Sequence, residues 1–194
     1  MNNDQNTNID SITSMFLQSL ATCSLLAELH NNNFLDSDDF EKLNFQNNYL
    51  KKILIRSTIG NPACMVMMLY GLLVIPYTTK DKSKLKFNEI NNFINCISNE
   101  KPNFYETTYN DEKNKAIDYI RHIRNSVSHG KIEFNKEDEI DFVIFEDEKY
   151  KDEHQHCSLK LKTGNIGIIL EKLQKLLFKY SINYQQSQIK VKLI

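Results

Sequence analysis

The stretch Asn61-Pro62-Ala63-Cys64-Met65-Val66-Met67-Met68-Leu69-Tyr70-Gly71-Leu72-Leu73-Val74-Ile75-Pro76 restricts the architecture more than any other part of the chain. Asn61 can cap a helix, and Pro62 suits its first position, where the missing N–H is not needed. Ala63 to Val74 is then apolar nearly all round. Such a helix has little to offer water and belongs at the centre of a helical assembly or under a subunit interface. It is too short to span a bilayer. Met65, Met67 and Met68 read as adaptable core packing rather than a metal or cofactor site. Pro76 is expected to end the helix.

Other helices must cover that segment, and their apolar spacing is readable. Phe16, Leu17, Leu20, Cys23, Leu25, Leu26 and Leu29 predict a first helix from Ile12, ending in the polar run His30 to Asn33. Ser37, Asp38 and Asp39 form a cap and an acidic first turn, predicting a second helix through Phe40, Leu43, Tyr49, Ile53 and Leu54 to Ser57. Thr78 to Lys86 reads as a charged connection. Phe87, Ile90, Phe93, Ile94 and Ile97 predict a further helix stopped before Pro102. Asn103 to Thr108 reads as a loop. Asn110 to Ser128 lacks proline and glycine, and Ala116, Tyr119, Ile120, Ile123 and Val127 predict an amphipathic helix that Gly130 stops.

Past Gly130 the period becomes two. Ile132 with Phe134, Ile140 to Phe145, and Cys157 with Leu159 and Leu161 predict three strands, with charged turns at 136–139 and 147–153. After Thr163-Gly164-Asn165, the positions Ile166, Ile169, Leu170, Leu173, Leu176 and Leu177 predict a last helix. The chain has 194 residues and 41% hydrophobic content, enough for one sizeable core. The expected organisation is a mainly α single domain over 11–182 with a β insertion over 131–162. A polar, disordered leader at 1–10 precedes it, and a C-terminal tail at 183–194 follows. The end of that tail, Ile189 to Ile194, alternates like a strand or a partner-binding segment.

A net charge of −1 gives no overall basic field, so contact with nucleic acid needs a local patch. Cys23, Cys64, Cys96 and Cys157 are widely spaced, which fits reduced thiols in a cytoplasmic protein. Neither a signal peptide nor a membrane span is expected. The chain has no GxGxxG, Walker-type, HExxH or GxSxG motif. Asp138, Glu139, Asp141, Glu146, Asp147 and Glu148 surround strands and turns and read as solvated surface. His154 and His156 share a strand face as zinc ligands do, but Cys157 points to the opposite face and no second half-site appears, so no metal is expected.

What remains is Arg121-His122-Ile123-Arg124-Asn125-Ser126-Val127-Ser128-His129-Gly130. On a helix, Ile120, Ile123 and Val127 cluster on one side, while Arg124, Ser128, Arg121, Asn125, His129 and His122 spread round the other. Arg124 borders the core and His129 lies well round the polar arc, with a rise of roughly 7.5 Å between them. An ordinary solvated helix face, with a histidine near the C-terminus where the dipole favours positive charge, is one reading of this pattern.

The string Arg124-Asn125-Ser126-Val127-Ser128-His129 also resembles the HEPN superfamily (higher eukaryotes and prokaryotes nucleotide-binding), whose ribonuclease members carry arginine, a polar residue directly after it, and histidine after a short spacer. With Arg121 to Phe134 and Asn61 to Pro76 included, the chain is similar to a plasmid- and prophage-borne branch of these nucleases, over roughly Ile12 to Leu177. The alternation past Gly130 already predicts a small antiparallel β meander inserted before the last long helix, and the resemblance implies that the helices form a HEPN-like bundle. It further implies metal-independent, cofactor-free cleavage of single-stranded RNA. Two subunits bring their motif helices together, and the ribose 2′-hydroxyl attacks the adjacent phosphate.

On that reading Arg124, His129 and Asn125 are catalytic, while Arg121, His122, Ser128 and Lys131 bind substrate. Arginine presents a fixed fork of donors to a phosphate whose charge rises in the transition state. Histidine shuttles a proton near neutral pH. Asn125, one turn before His129, can orient the imidazole or bind a phosphate oxygen. For Arg121, His122 and Lys131 a merely solvated position is the alternative. The expected protein is a cytoplasmic homodimer acting on RNA as a toxin or phage-defence effector, with an antitoxin as the partner of such a toxin. The runner-up, favoured by the near-neutral charge, is a non-catalytic HEPN RNA- or protein-binding module serving as a dimeric scaffold or toxin partner.

Overall fold

The computed structural model describes residues 11–77, 86–112, 116–149 and 152–191. The expected leader at 1–10 and most of the connection at 78–85 lie outside the described residues. Helix α1 spans Ser11–Asn31 and buries Phe16, Leu20 and Cys23. The expected second helix is divided in two. Ser37 accepts from the Phe40 N–H and opens α2, Asp38–Glu41, but the chain leaves the helical path at 42–47. Asn47 then accepts from the Tyr49 N–H at 2.9 Å and opens α3, Asn48–Ser57. A second asparagine cap thus competes with helix continuation. Lys51 of α3 donates to the carbonyls of Glu41 and Leu43 and ties the two pieces together.

Asn61 caps α4, Pro62–Leu69, by accepting from the Cys64 N–H at 3.0 Å. This helix runs on through a π-helical turn, Tyr70–Val74, into α5, Ile75–Tyr77. Pro76 therefore does not end it. A proline inside a helix cannot donate and crowds the carbonyl of the preceding turn, and the wider π turn, in which Ile75 N–H reaches the Tyr70 carbonyl, accommodates that change. Leu69, Leu72 and Leu73 are buried at the centre of the fold, as the apolar run requires. Burial is not complete all round, since Met67 is 64% and Tyr70 47% exposed. Among the described residues no single helix is long and apolar enough to cross a membrane; α3 and Pro62–Val74 pass that test only as a pair bent by 85°.

Helix α6, Asn88–Ser98, follows with Ile90, Ile94 and Ile97 buried. The aromatic segment read as a loop is instead strand β1, Phe104–Thr107. It joins β2, Ile132–Glu137, β3, Ile140–Lys149, and β4, Asp152–Lys162, in an antiparallel sheet of order β1-β4-β3-β2. The sheet is therefore more than a meander, because one edge strand comes from before the motif helix. Strands β3 and β4 also extend through residues read as a charged turn, pairing Asp147 with Cys157 and Glu148 with His156. The β2–β3 turn uses Asp138 and Glu139 at φ 48° and 67°, the left-handed conformation that matches the twist of a tight hairpin.

The motif helix α7 covers Tyr119–His129, so the first part of the predicted helix is not in it, and residues 113–115 of that prediction lie outside the described residues. Asp118 accepts from the Arg121 N–H and starts it, while Asn110–Glu112 forms a 3₁₀ turn. Gly130, at φ 67°, closes it as expected. Its apolar side, Ile120, Ile123 and Val127, enters the same core as Leu72, Val143, Phe145 and Leu173. Helix α8, Thr163–Val191, extends well past the predicted end and includes Ile189 to Val191 in place of a strand. The architecture is mainly α with a small antiparallel sheet against α7.

Helix α1 packs tightly against Gly71. Ser19 Oγ donates to the Gly71 carbonyl at 3.0 Å, and a Cβ at position 71 would stand 2.6 Å from Ser19 Oγ and 3.0 Å from Cys23 Sγ. Alanine improves helix propensity by up to about 1 kcal/mol, whereas overpacking costs roughly 1–3 kcal/mol, so the clash dominates. Gly71→Ala is expected to lower the unfolding free energy by about 1–2 kcal/mol in denaturant titration, with a smaller loss in a Ser19→Ala background. An unchanged midpoint would contradict this packing.

Candidate functional site

The polar side of α7 is organised by a buried imidazole. His122 is fully buried, with Nε2 2.7 Å from Glu112 Oε1 and Nδ1 2.7 Å from Asp147 Oδ2. Ionised carboxylates only accept, so this geometry suits a ring carrying a proton on each nitrogen. Glu112 comes from the 3₁₀ turn and Asp147 from β3, so three elements converge on the ring. The Tyr109 ring packs edge-on against it, with centroids 5.0 Å apart.

Each carboxylate has further donors. Glu112 Oε1 also accepts from Arg121 Nη2 at 2.7 Å, and its Oε2 accepts from the Tyr105 and Thr107 hydroxyls at 3.2 and 3.1 Å. Asp147 Oδ2 accepts from Asn125 Nδ2 at 3.1 Å. Burial opposes the charge on Asp147, but the bonds from His122 and Asn125 outweigh it and hold the carboxyl below its ordinary range. The two negative groups are felt nearby. The Cys157 thiol is pushed far up by burial and then by Glu112 and Asp147, and the Tyr109 phenol by burial and then by Asp147.

Arg124 is reached from this cluster through Asn125. The Asn125 Oδ1 accepts from Arg124 Nη2 at 2.6 Å and Nε at 3.2 Å. Asn125 thus bridges Arg124 and Asp147 and makes no hydrogen bond to His129, so of the two roles read for it, orienting the imidazole has no contact behind it here. His129 is exposed in the last turn of α7, just before the left-handed Gly130. No hydrogen bond or ion pair engages its ring among the described residues.

The substrate-binding group expected from the sequence is dispersed. His122 has no surface to give a phosphate: it faces inward because Glu112 and Asp147 flank it. Arg121 is paired with Glu112 and lies over the Tyr109 ring at 5.2 Å. Lys131 is paired with Glu148 at the surface. Ser128 is exposed, but its hydroxyl turns back to the Arg124 carbonyl at 2.8 Å. Arg124 and Asn125 are joined directly, and His129 stands apart from both at the helix end.

Asp147 was expected at the surface and is only 3% exposed. Its position was readable: it lies two and four residues after Phe145 and Val143, on their inward face of β3. Glu112 had no comparable signal, because its segment reads as helix. His156 Nδ1 lies 3.2 Å from Thr108 Oγ1, and Cys157 is buried on the other face. Among the described residues no group of three or more histidine, cysteine, aspartate or glutamate side chains is arranged to hold a metal ion.

A mainly α fold with an arginine–histidine helix closed by glycine and backed by a small sheet defines the class of protein. A protein-family model described as HEPN pEK499 p136 matches residues 1–184, and the chain belongs to this HEPN family. No curated protein and no solved structure matches it.

The depressed carboxyl of Asp147 fixes the sign of one pH effect. A group that binds its proton more weakly when folded adds stability above its unfolded value of 3.8, and loses it as pH falls through the lower folded value. Asp147→Asn is expected to lower the unfolding free energy by about 1–3 kcal/mol at pH 7. That gap should narrow as pH falls from 3.8 and close once pH passes the lower folded value, where the wild-type carboxyl is neutral too. Chemical denaturation of both chains across acid pH measures it, and a gap independent of pH would refute the assignment.

Proposed function

We propose that this HEPN protein is a metal-independent endoribonuclease cutting single-stranded RNA, working as a toxin or phage-defence effector. The carrying observation is the polar side of α7: an arginine held by Asn125, and an exposed histidine with an unengaged ring at the end of the same helix. Family membership supports the HEPN-like bundle and the nuclease class. One chain carries one Arg124 and one His129, which on this reading is half of a site completed by a second copy.

Across such a dimer, the 2′-hydroxyl of a ribose attacks the adjacent phosphorus while one imidazole accepts its proton. The P–O5′ bond breaks, and the other imidazole gives a proton to the leaving oxygen. The products are a 2′,3′-cyclic phosphate and a free 5′-hydroxyl. Arg124 meets the charge that grows on the phosphate oxygens. The uncovered Met67 and Tyr70, on the helix against which α7 packs, support an apolar contribution to the subunit contact.

The purified chain is expected to cleave single-stranded RNA in EDTA and to leave 2′,3′-cyclic ends, seen by end-group analysis. Arg124→Ala and His129→Ala should each lower the rate by about 10²–10⁴. If both variants cut at the wild-type rate, the assignment fails. RNA binding that survives both substitutions with no cleavage of any RNA would identify the non-catalytic binding module instead.

A further inference from the structure

Three arrangements outside the surface pair could act on their own. A cavity of about 310 Å³ lies between α1, the α3–α4 loop and α8, and the side-chain nitrogen of Gln174 on its wall is buried without a hydrogen bond. Gln174 itself is only half-buried, and nothing else there selects a ligand. The apolar face of α3 exposes Tyr49, Leu50 and Ile53, but nothing shows what covers it. The chain of hydrogen bonds from Glu112 to Arg124 is different, because its links from Asp147 through Asn125 to Arg124 each have a defined donor and acceptor.

We propose that Glu112, His122 and Asp147 form a positioning relay that sets the Asn125 amide and, through it, the guanidinium of Arg124. The inference rests on the ribonuclease reading of Arg124. Its physical content is donor and acceptor direction. An asparagine amide can be turned either way, with its oxygen or its nitrogen toward a neighbour. Asp147, ionised and acceptor-only, admits just one of the two: Nδ2 must face the carboxylate, 3.1 Å away. The Oδ1 is then left toward Arg124, which donates into it through Nη2 and Nε.

Asp147 is fixed in turn by His122, whose other nitrogen is held by Glu112. Glu112 is anchored by the Tyr105 and Thr107 hydroxyls of β1. The charge of the relay is therefore buried, and it ends at the half-buried guanidinium of Arg124. Neither the carboxylates nor His122 touches substrate. They act by deciding where the donors of Arg124 point.

The chain carries three arginines, Arg56, Arg121 and Arg124, so the side-chain Nε–H resonances can be resolved and assigned by Arg124→Lys. Asp147→Asn keeps the shape but allows the Asn125 amide to turn. It should shift or broaden the Arg124 Nε–H resonance and slow cleavage of a single-stranded RNA by up to about a hundredfold, mostly in kcat with KM little changed. Asp147→Glu, which retains an acceptor-only group one methylene longer, should recover part of both. If Asp147→Asn does not fold, Asp147→Glu alone should show an intermediate loss and an intermediate shift.

A folded Asp147→Asn with wild-type kcat, or one that slows cleavage while leaving the Arg124 resonance in place, overturns the relay. A relay that fails while Arg124→Ala and His129→Ala still abolish cleavage leaves the nuclease reading intact. If those two variants cleave normally, the nuclease reading falls, and the resonance still reports whether Asp147 holds Arg124.

Discussion

The rest of the structure depends on one buried contact, His122 between Glu112 and Asp147. Taking charged groups out of water costs several kcal/mol each, and only close, well-directed hydrogen bonds offset it. Here the offset comes from many sides, since tyrosine, threonine, arginine and asparagine donors complete the two carboxylates. The 3₁₀ turn, α7 and β3 are consequently locked in one register. A slip of α7 by one residue turns it by about 100° and would leave two buried charges facing apolar side chains.

The same contact accounts for the largest departures from the sequence pattern. A helix continuing back to Asn110 would carry Glu112 along its own surface. With α7 starting at the Asp118 cap, Glu112 belongs to a separate 3₁₀ turn and lies buried against His122. Strand β1 then has a purpose beyond lengthening the sheet, because Tyr105 and Thr107 deliver hydroxyls to that carboxylate.

Apolar spacing made α1, α4, α6 and the core side of α7 legible, and cap chemistry marked Ser37, Asn61 and Gly130. Those signals are local and strong. The break at 42–47 was not legible because its apolar residues keep helical spacing, and the competing cap at Asn47 is one polar residue among several. The candidate site was half legible. Arg124, Asn125 and His129 are legible on one helix, but periodicity places His122 on the wet side, because histidine is polar and its partners are remote in sequence. Asp147 shows the general difficulty: strand alternation points it inward, whereas its charge argues outward. Alternation wins when a buried partner such as His122 is present, and that partner belongs to another element.

This arrangement divides the motif into two parts under different control. Arg124 is set by contacts made within one chain, through bonds that run to the interior. His129 lies beyond the last of those bonds, on a turn ended by a left-handed glycine, and its imidazole is not directed by any of them. On the ribonuclease reading, folding alone therefore prepares the phosphate-binding arginine, while the proton-transferring histidine acquires its orientation only when RNA or a second subunit meets it. On the same proposal, an isolated chain is folded yet catalytically incomplete, which suits the proposed toxin or defence effector. Assembly is then, on that proposal, the step on which control acts, with Arg124 already held by Asn125 within the single chain.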